Sequence, residues 1–345
     1  MNPLDGIDIE ALEKETERLY DKLSKTGYRR DDCEVIAPFT YAINKLKREK
    51  NALILAHHYM TPDIVYGVAD YAEDALGLIR RGEESDAGVI IACAVTSLAE
   101  MIKIGSPEKT VICPSIEAGC SVADSITVDE VLELKAHHPG APAVAYATTT
   151  AEVKAVSDYI VTSANARKVI ANIPAPKVLF YPDHAFGKSL QQEQQALNKE
   201  IVTWEGKCVV HDTYTVDQVI SFRKKHPDTA VLFHSEVDPS LYSHGDMHGG
   251  TGAMKKFVAD HPEINSFFMV TECGLSDQLR VEYPGKKFIG TCSLCPFMKT
   301  INLENILLAL QGELPIENTI IFTPPILESI QAAYQRSERI MHQAA

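Results

Sequence analysis

Positive charge is in short supply in this chain. Its 345 residues hold 33 Lys and Arg against 47 Asp and Glu, a net charge of −14. That balance speaks against a nucleic-acid backbone or an anionic membrane as partner, because both would be repelled. A local basic pocket for a small anion stays open. No apolar run approaches the roughly 20 residues that a membrane helix needs. The opening stretch MNPLDGIDIEALEKETERL has no apolar core of the kind a secretory leader carries. A cytoplasmic protein is therefore expected, and eight cysteines in that compartment read as thiols or metal ligands rather than disulfides. A second CxxC is also missing. Cys292 and Cys295 form the one such pair, so a four-cysteine zinc site would need scattered ligands.

What is present is a repeat. Cys120, Cys208 and Cys295 are separated by 88 and 87 residues. Their surroundings echo one another: GCSVADSITVDEV (119–131), KCVVHDTYTVDQV (207–219) and, more loosely, CPFMKTINLENI (295–306). An acidic residue stands nine positions after each cysteine, at Asp129, Asp217 and Glu304. His138-Pro139 matches His226-Pro227, and the strand ends His57, Tyr146 and His234 keep the same interval. One soft thiolate per unit suggests similar subdomains around a shared metal centre. The alternative is that these are buried apolar cysteines, which are common. Cys295 keeps the register, so Cys292 reads as a bystander, and Cys33, Cys93, Cys113 and Cys273 read as structural.

Between the cysteines, short apolar runs alternate with helical patterns. The runs are ALILA (52–56), VIIACAV (89–95), VICP (111–114), AVAY (143–146), VLFY (178–181), VLFH (231–234) and FFMV (267–270). Continuous apolar strands alternating with helices predict an α/β protein with parallel sheets. Amphipathic spacing predicts helices over 8–26 and 38–50. The expected domains are an N-terminal helical extension (1–37), a first α/β repeat (38–119) completed by 295–345, a second (120–207) and a third (208–294).

Ligands of open α/β sheets bind beyond the carboxyl ends of strands. His57, Tyr59, Tyr146, His234 and Glu236 fall at or just after such ends and suit proton transfer near neutrality. Ser163 and Thr251 occupy equivalent repeat positions and read as helix openings, which are either ordinary caps or anion sites.

These residues give the chain a resemblance to the quinolinate synthase family, the A proteins of bacterial and archaeal NAD biosynthesis. The matching stretches include AHHYMTPDI (56–64), LAEMIKIGSPEKTVICPSIEAGCS (98–121), YATTTAEVKAVSDYIVTSANA (146–166), FYPDHAFG (180–187), WEGKCVVHD (204–212), HSE (234–236), TECG (271–274) and CPFMKTINLENILLAL (295–310). The resemblance implies three three-layer α/β/α subdomains in a pseudo-threefold triangle. It implies a 4Fe-4S cluster on Cys120, Cys208 and Cys295. The implied reaction condenses iminoaspartate with dihydroxyacetone phosphate to quinolinate, phosphate and water. An aspartate-oxidising enzyme is the implied supplier of iminoaspartate. His57, Tyr59, Tyr146, His234 and Glu236 match the family's catalytic positions, and Ser163 and Thr251 its phosphate-binding ones.

The chain departs from the family pattern in the pocket. Ala75 replaces a phosphate-binding serine, and Thr148 replaces a substrate-contacting asparagine. Ser97-Leu98 stands for a Phe-Met wall, and Gly249-Gly250-Thr251-Gly252 stands for GSTS. These changes leave a second expectation open: a divergent relative using the same cluster on a different amine and carbonyl pair. A third, an iron–sulfur sensor or scaffold, would not require the five acid–base residues.

Overall fold

In the computed structural model, which describes residues 6–195, 198–290 and 293–343, three four-stranded sheets share one strand order. The first contains β1 (Ala52–His57), β2 (Tyr71–Glu73), β3 (Val89–Cys93) and β4 (Thr110–Ile112) in the order β2-β1-β3-β4. The second contains β5 (Ala143–Tyr146), β6 (Tyr159–Val161), β7 (Lys177–Tyr181) and β8 (Glu200–Thr203) in the order β6-β5-β7-β8. The third, β9 (Ala230–His234), β10 (Met247–Gly249), β11 (Ser266–Val270) and β12 (Lys287–Gly290), is ordered β10-β9-β11-β12. Neighbouring strands run parallel, as in Ala56 beside Cys93, Tyr146 beside Val161 and Gly249 beside His234. The α/β architecture expected from the alternating pattern is therefore present.

Every residue of β5 and β9 is buried, as is every residue of β1 after Ala52. Parallel strands covered on both faces require such unbroken apolar runs, and each fully buried Leu, Ile or Val contributes roughly 1.5–3 kcal/mol. In each sheet the chain reverses its direction of travel at the first strand. His57, Tyr146 and His234 are the last residues of those three strands, where an open α/β sheet leaves a crevice for ligand.

The cysteine repeat has a structural counterpart. Three residues after each cysteine a short 3-10 turn begins: Ala123–Ser125, His211–Thr213 and Met298–Thr300. Seven residues after each cysteine stands a helix cap: Thr127, Thr215 and Asn302. Each forms a reciprocal capping box, with Glu130, Gln218 and Asn305 respectively. The helices that follow are Val128–His137, Val216–Lys225 and Leu303–Gln311.

The chain divides into two compact units, residues 1–118 with 272–320 and residues 119–271 with 321–345. In the first unit, helix Ile9–Leu23 packs on helix Arg30–Glu49 through Leu19, Leu23, Cys33 and Ala37. The second of these begins eight residues before the expected 38–50. The Asp32 carboxylate accepts the Arg29 N–H at 2.8 Å, so the helix starts there and runs through Pro38. The bond that Pro38 cannot donate would go to the carbonyl of Glu34, an exposed residue. Helix Leu303–Gln311 packs on Arg30–Glu49, also in the first unit.

The last helix, Pro324–Gln343, lies in the second unit against β6 and helices Ala151–Ala155 and Ala166–Asn172. It buries Ile330, Ala333, Tyr334 and Ser337, the i, i+3, i+4, i+7 stripe of one helix face. Ser337 accepts the Ile160 N–H at 3.1 Å, and Arg336 donates to the Asp158 carbonyl at 2.6 Å. The expectation that 295–345 as a whole completes the first repeat differs from this placement at its last helix. Among the described residues no helix is long and apolar enough to cross a membrane.

Candidate active site

In the second unit, Tyr146 and Glu236 converge from the ends of β5 and β9. The Tyr146 phenol donates to Glu236 Oε1 at 2.7 Å, and His211 Nδ1 lies 3.0 Å from Oε2. His211 Nε2 is 3.1 Å from the Thr271 hydroxyl. The His211 and His234 rings stack with centroids 4.4 Å apart, and the Glu236 N–H donates to His234 Nδ1 at 3.3 Å. Burial alone would raise the Glu236 carboxyl. The facing His234 and His211, with the hydrogen bonds from His211 and Tyr146, outweigh it and hold the group below its usual range. Burial first, and the Glu236 charge second, push the Tyr146 phenol well above its ordinary value. At neutral pH this pair is a carboxylate facing a phenol that keeps its proton.

The two hydroxyl positions meet in the same unit. Ser163 bonds the Tyr146 phenol. A Cβ built on Gly250 would come within 2.6 Å of Ser163 Oγ, so the absent side chain at 250 lets Ser163 approach. Gly250 caps helix Thr251–Asp260, which makes Thr251 its first residue. Ser163 differs from expectation, because it lies in a turn and the helix there starts at Ala166. The reason is local. Asn165 Oδ1 accepts the Thr162 N–H at 2.7 Å and holds a turn in place of a first helical residue. Thr148 is half-buried, and its hydroxyl oxygen is enclosed without a hydrogen-bond partner.

Cys120 and Cys208 belong to this unit too. The Cys208 thiol is pushed well above its ordinary value, by burial first, then by Glu236, with a contribution from Cys120. Backbone N–H groups of Val210 and His211 point at its sulfur. Ser121 ties the two cysteine segments together: its hydroxyl donates to the Lys207 carbonyl and accepts the Val209 N–H, both at 3.2 Å. Donor atoms of Cys208, His211 and Glu236 all lie within 4.8 Å of one another, a set compatible with metal binding. His211 spends both ring nitrogens on Glu236 and Thr271.

A family model described as "Quinolinate synthetase A protein" matches residues 41–338. The chain belongs to this family. The quinolinate synthase of Agrobacterium fabrum is 38% identical over 334 residues, 97% of this chain and 92% of the relative. That of Xylella fastidiosa (strain Temecula1) is 43% identical over 270 residues, 78% of each chain, and that of Caulobacter vibrioides 36% identical over 335 residues, 96% of this chain and 89% of the relative. The family's proteins are enzymes.

Of the other site residues read from the sequence, all but Gly252 lie in the first unit. His57 and Tyr59 are buried with their rings edge to face, centroids 4.7 Å apart. Ala75 opens helix Ala75–Glu84, two residues after β2, just as Thr251 stands two residues after β10 and Ser163 two after β6. Ser97 is buried in helix Thr96–Gly105. Gly252 follows Thr251 in its helix. Cys295 sits in a loop whose Phe297 and Met298 N–H groups point at its sulfur, as those of Val210 and His211 do at Cys208. Cys292 lies outside the described residues.

His211 is the site residue that sequence reasoning missed. It is one of twelve histidines, and its partners Glu236 and Thr271 stand 25 and 60 residues away. The available signal was its place three residues after Cys208, inside a repeated motif.

Proposed function

We propose that this chain is a quinolinate synthase, joining iminoaspartate to dihydroxyacetone phosphate with loss of phosphate and two waters. The Tyr146–Glu236–His211 hydrogen-bond chain beside Cys208 carries the reading. Its family membership and its run of relatives named quinolinate synthase support the same activity.

Cys120, Cys208 and Cys295 would hold a 4Fe-4S cluster. Each of the three stands three residues before the same 3-10 turn. N–H groups aimed at Cys208 and Cys295 are the hydrogen bonds that cluster sulfurs accept. When bound, the cluster would supply an open iron as a Lewis acid for loss of hydroxyl as water. The chain's own groups do the rest. Glu236, kept ionised, accepts a proton during isomerisation and ring closure. Tyr146, kept protonated, donates at Oη. His211 and His234 hold the carboxylate in place. Ser163 and the first turn of Thr251–Asp260 bind the phosphate before it leaves. His57 and Tyr59 complete the acid–base set, and the enclosed Thr148 hydroxyl awaits a substrate polar group. Iminoaspartate is aspartate oxidised by two electrons, so an aspartate-oxidising enzyme in the same cytoplasm is the natural supplier.

The test is anaerobic loading with iron and sulfide, followed by assay for quinolinate. Cluster-dependent product is expected, with Tyr146→Phe and Glu236→Gln each lowering turnover by about 10²–10⁴-fold. A well-formed cluster with no quinolinate would overturn the substrate assignment. The substitutions at 75, 97, 148 and 252 would then point to another amine and carbonyl pair.

A further inference from the structure

In the first unit, Tyr59 and the Cys295 loop are joined through two residues to which no role has been given. Glu272 is fully buried. Its Oε2 accepts the Gly274 N–H at 2.6 Å, its Oε1 accepts the Cys295 N–H at 3.3 Å, and Lys299 Nζ lies 3.0 Å from Oε1. Lys299 also donates to the Tyr59 carbonyl. The contact is tight from the other side as well, since a Cβ on Gly274 would lie 2.9 Å from the Tyr59 backbone. Lys299 itself stands on the cysteine turn, its own N–H donating to the Cys295 carbonyl at 3.2 Å.

We propose that Glu272 and Lys299 form a latch that fixes the Tyr59 segment against the Cys295 loop, so that both are positioning residues for the reaction. The inference rests on the reading of Tyr59 as catalytic and Cys295 as a ligand. The repeat itself argues that this is a special device. The residue four places after the cysteine is Asp124 in the first copy and Asp212 in the second, and both donate the same backbone N–H to the cysteine carbonyl. A cation at that place is peculiar to the copy beside Tyr59. It lets a single side chain neutralise a buried carboxylate and grip a backbone carbonyl two residues after the end of β1. Misplacement of a reacting group by about 1 Å costs on the order of 10²-fold in rate, so a fixed Tyr59 backbone has a kinetic consequence.

The experiment compares the full chain, loaded anaerobically with iron and sulfide, as wild type, Lys299→Met, Lys299→Arg and Glu272→Gln. Amide hydrogen exchange is read at residues 57–61, where the Met60 N–H is held by the His57 carbonyl at 2.9 Å, and turnover and iron and sulfide content are read beside it. Lys299→Met is expected to keep its iron and sulfide, to exchange the Met60 amide at least about 10-fold faster, and to lose about 10–100-fold in kcat with a smaller change in KM. Lys299→Arg, which keeps a cationic donor, is expected to restore most of both. Wild-type exchange at Met60 in Lys299→Met would overturn the proposal, and so would turnover that Arg fails to rescue while exchange is normal. Should Lys299→Met not accumulate as folded protein, Glu272→Gln gives the same two readings, because it removes the charge that holds Lys299 and keeps an acceptor for the N–H groups. A wild-type chain that makes no quinolinate would sink the functional reading instead, and the exchange comparison would still decide the latch.

Discussion

Asp183 stands two residues after β7, and Glu272 two residues after β11, and each caps the helix that follows, His184–Gln194 and Cys273–Glu282. Both are buried. The difference lies four residues past the neighbouring cysteine. Glu272 meets Lys299, which offsets part of the upward push of burial on its carboxyl. Asp183 meets Asp212 and Glu236. Burial first, and the Glu236 charge next, raise it well above the ordinary carboxylate range. One oxygen accepts the Phe186 N–H at 2.7 Å, and the other is enclosed without a partner. It lines a cavity of about 240 Å³ together with His184, Lys188, Cys208, Asp212 and Glu236. The repeat thus supplies the backbone geometry twice, but Lys299 draws the Glu272 carboxyl down while Asp212, behind Glu236, adds to the upward push on Asp183.

The largest test of that equivalence removes the cysteines on which both turns hang. Cys208→Ala and Cys295→Ala should each abolish iron and sulfide retention and quinolinate formation, and a variant that kept its cluster would break the equivalence. Next in size, Glu272→Ala strands Lys299 and two N–H groups. Breaking a buried pair in this way costs about 3–5 kcal/mol, whereas Asp183→Ala loses only a helix cap, about 0.5–2 kcal/mol. Equal losses of Tm would mean that the ion pair contributes nothing beyond the cap.

A pH series sharpens the contrast. The native Asp183 carboxyl binds its proton more tightly than the unfolded chain does. Its contribution is therefore complete below the unfolded value of about 3.9 and is lost as pH rises through the window up to the native value. Asp183→Asn should consequently gain stability on the wild type as pH rises above about 3.9. A pH-independent difference would show that Asp183 is ionised after all.

The smallest expected effect is at Glu193, where burial would raise the carboxyl but hydrogen bonds from His248 and Arg167 bring it to about 2. That stabilisation is present above the ordinary value of 4.5 and is lost as pH falls toward 2. Glu193→Gln should lower Tm near neutrality and flatten the acid limb of the Tm–pH curve, with the difference from wild type vanishing as pH falls toward 2.

The inner strands were legible in the sequence because burial on both faces writes an unbroken apolar run. β1, β3, β5, β7, β9 and β11 all coincide with runs read there. Of the edge strands only β4 was seen. β2, β6, β8, β10 and β12 are three or four residues long, and YAE, YIV and MHG carry too little pattern to stand out. The cysteine spacing reported a real turn-and-cap unit, since both depend on local residues. His211 and Lys299 escaped notice because their significance lies in partners far along the chain, which no local pattern encodes. The helix start at Arg30 was hidden by Pro38, a residue that usually marks a first turn.

The seat of the last helix has a consequence for how the chain is made. Ile160 waits for Ser337, 177 residues later, to accept its N–H. At synthesis rates of about 5–20 residues per second, that interval lasts roughly 10–35 s. Through that time the apolar groups that meet Ile330, Ala333 and Tyr334 stand open on a nascent chain. A chain ending at Ile320 should therefore bind an apolar dye and chaperones more strongly than the full chain, and the missing helix added as a peptide should reverse that binding.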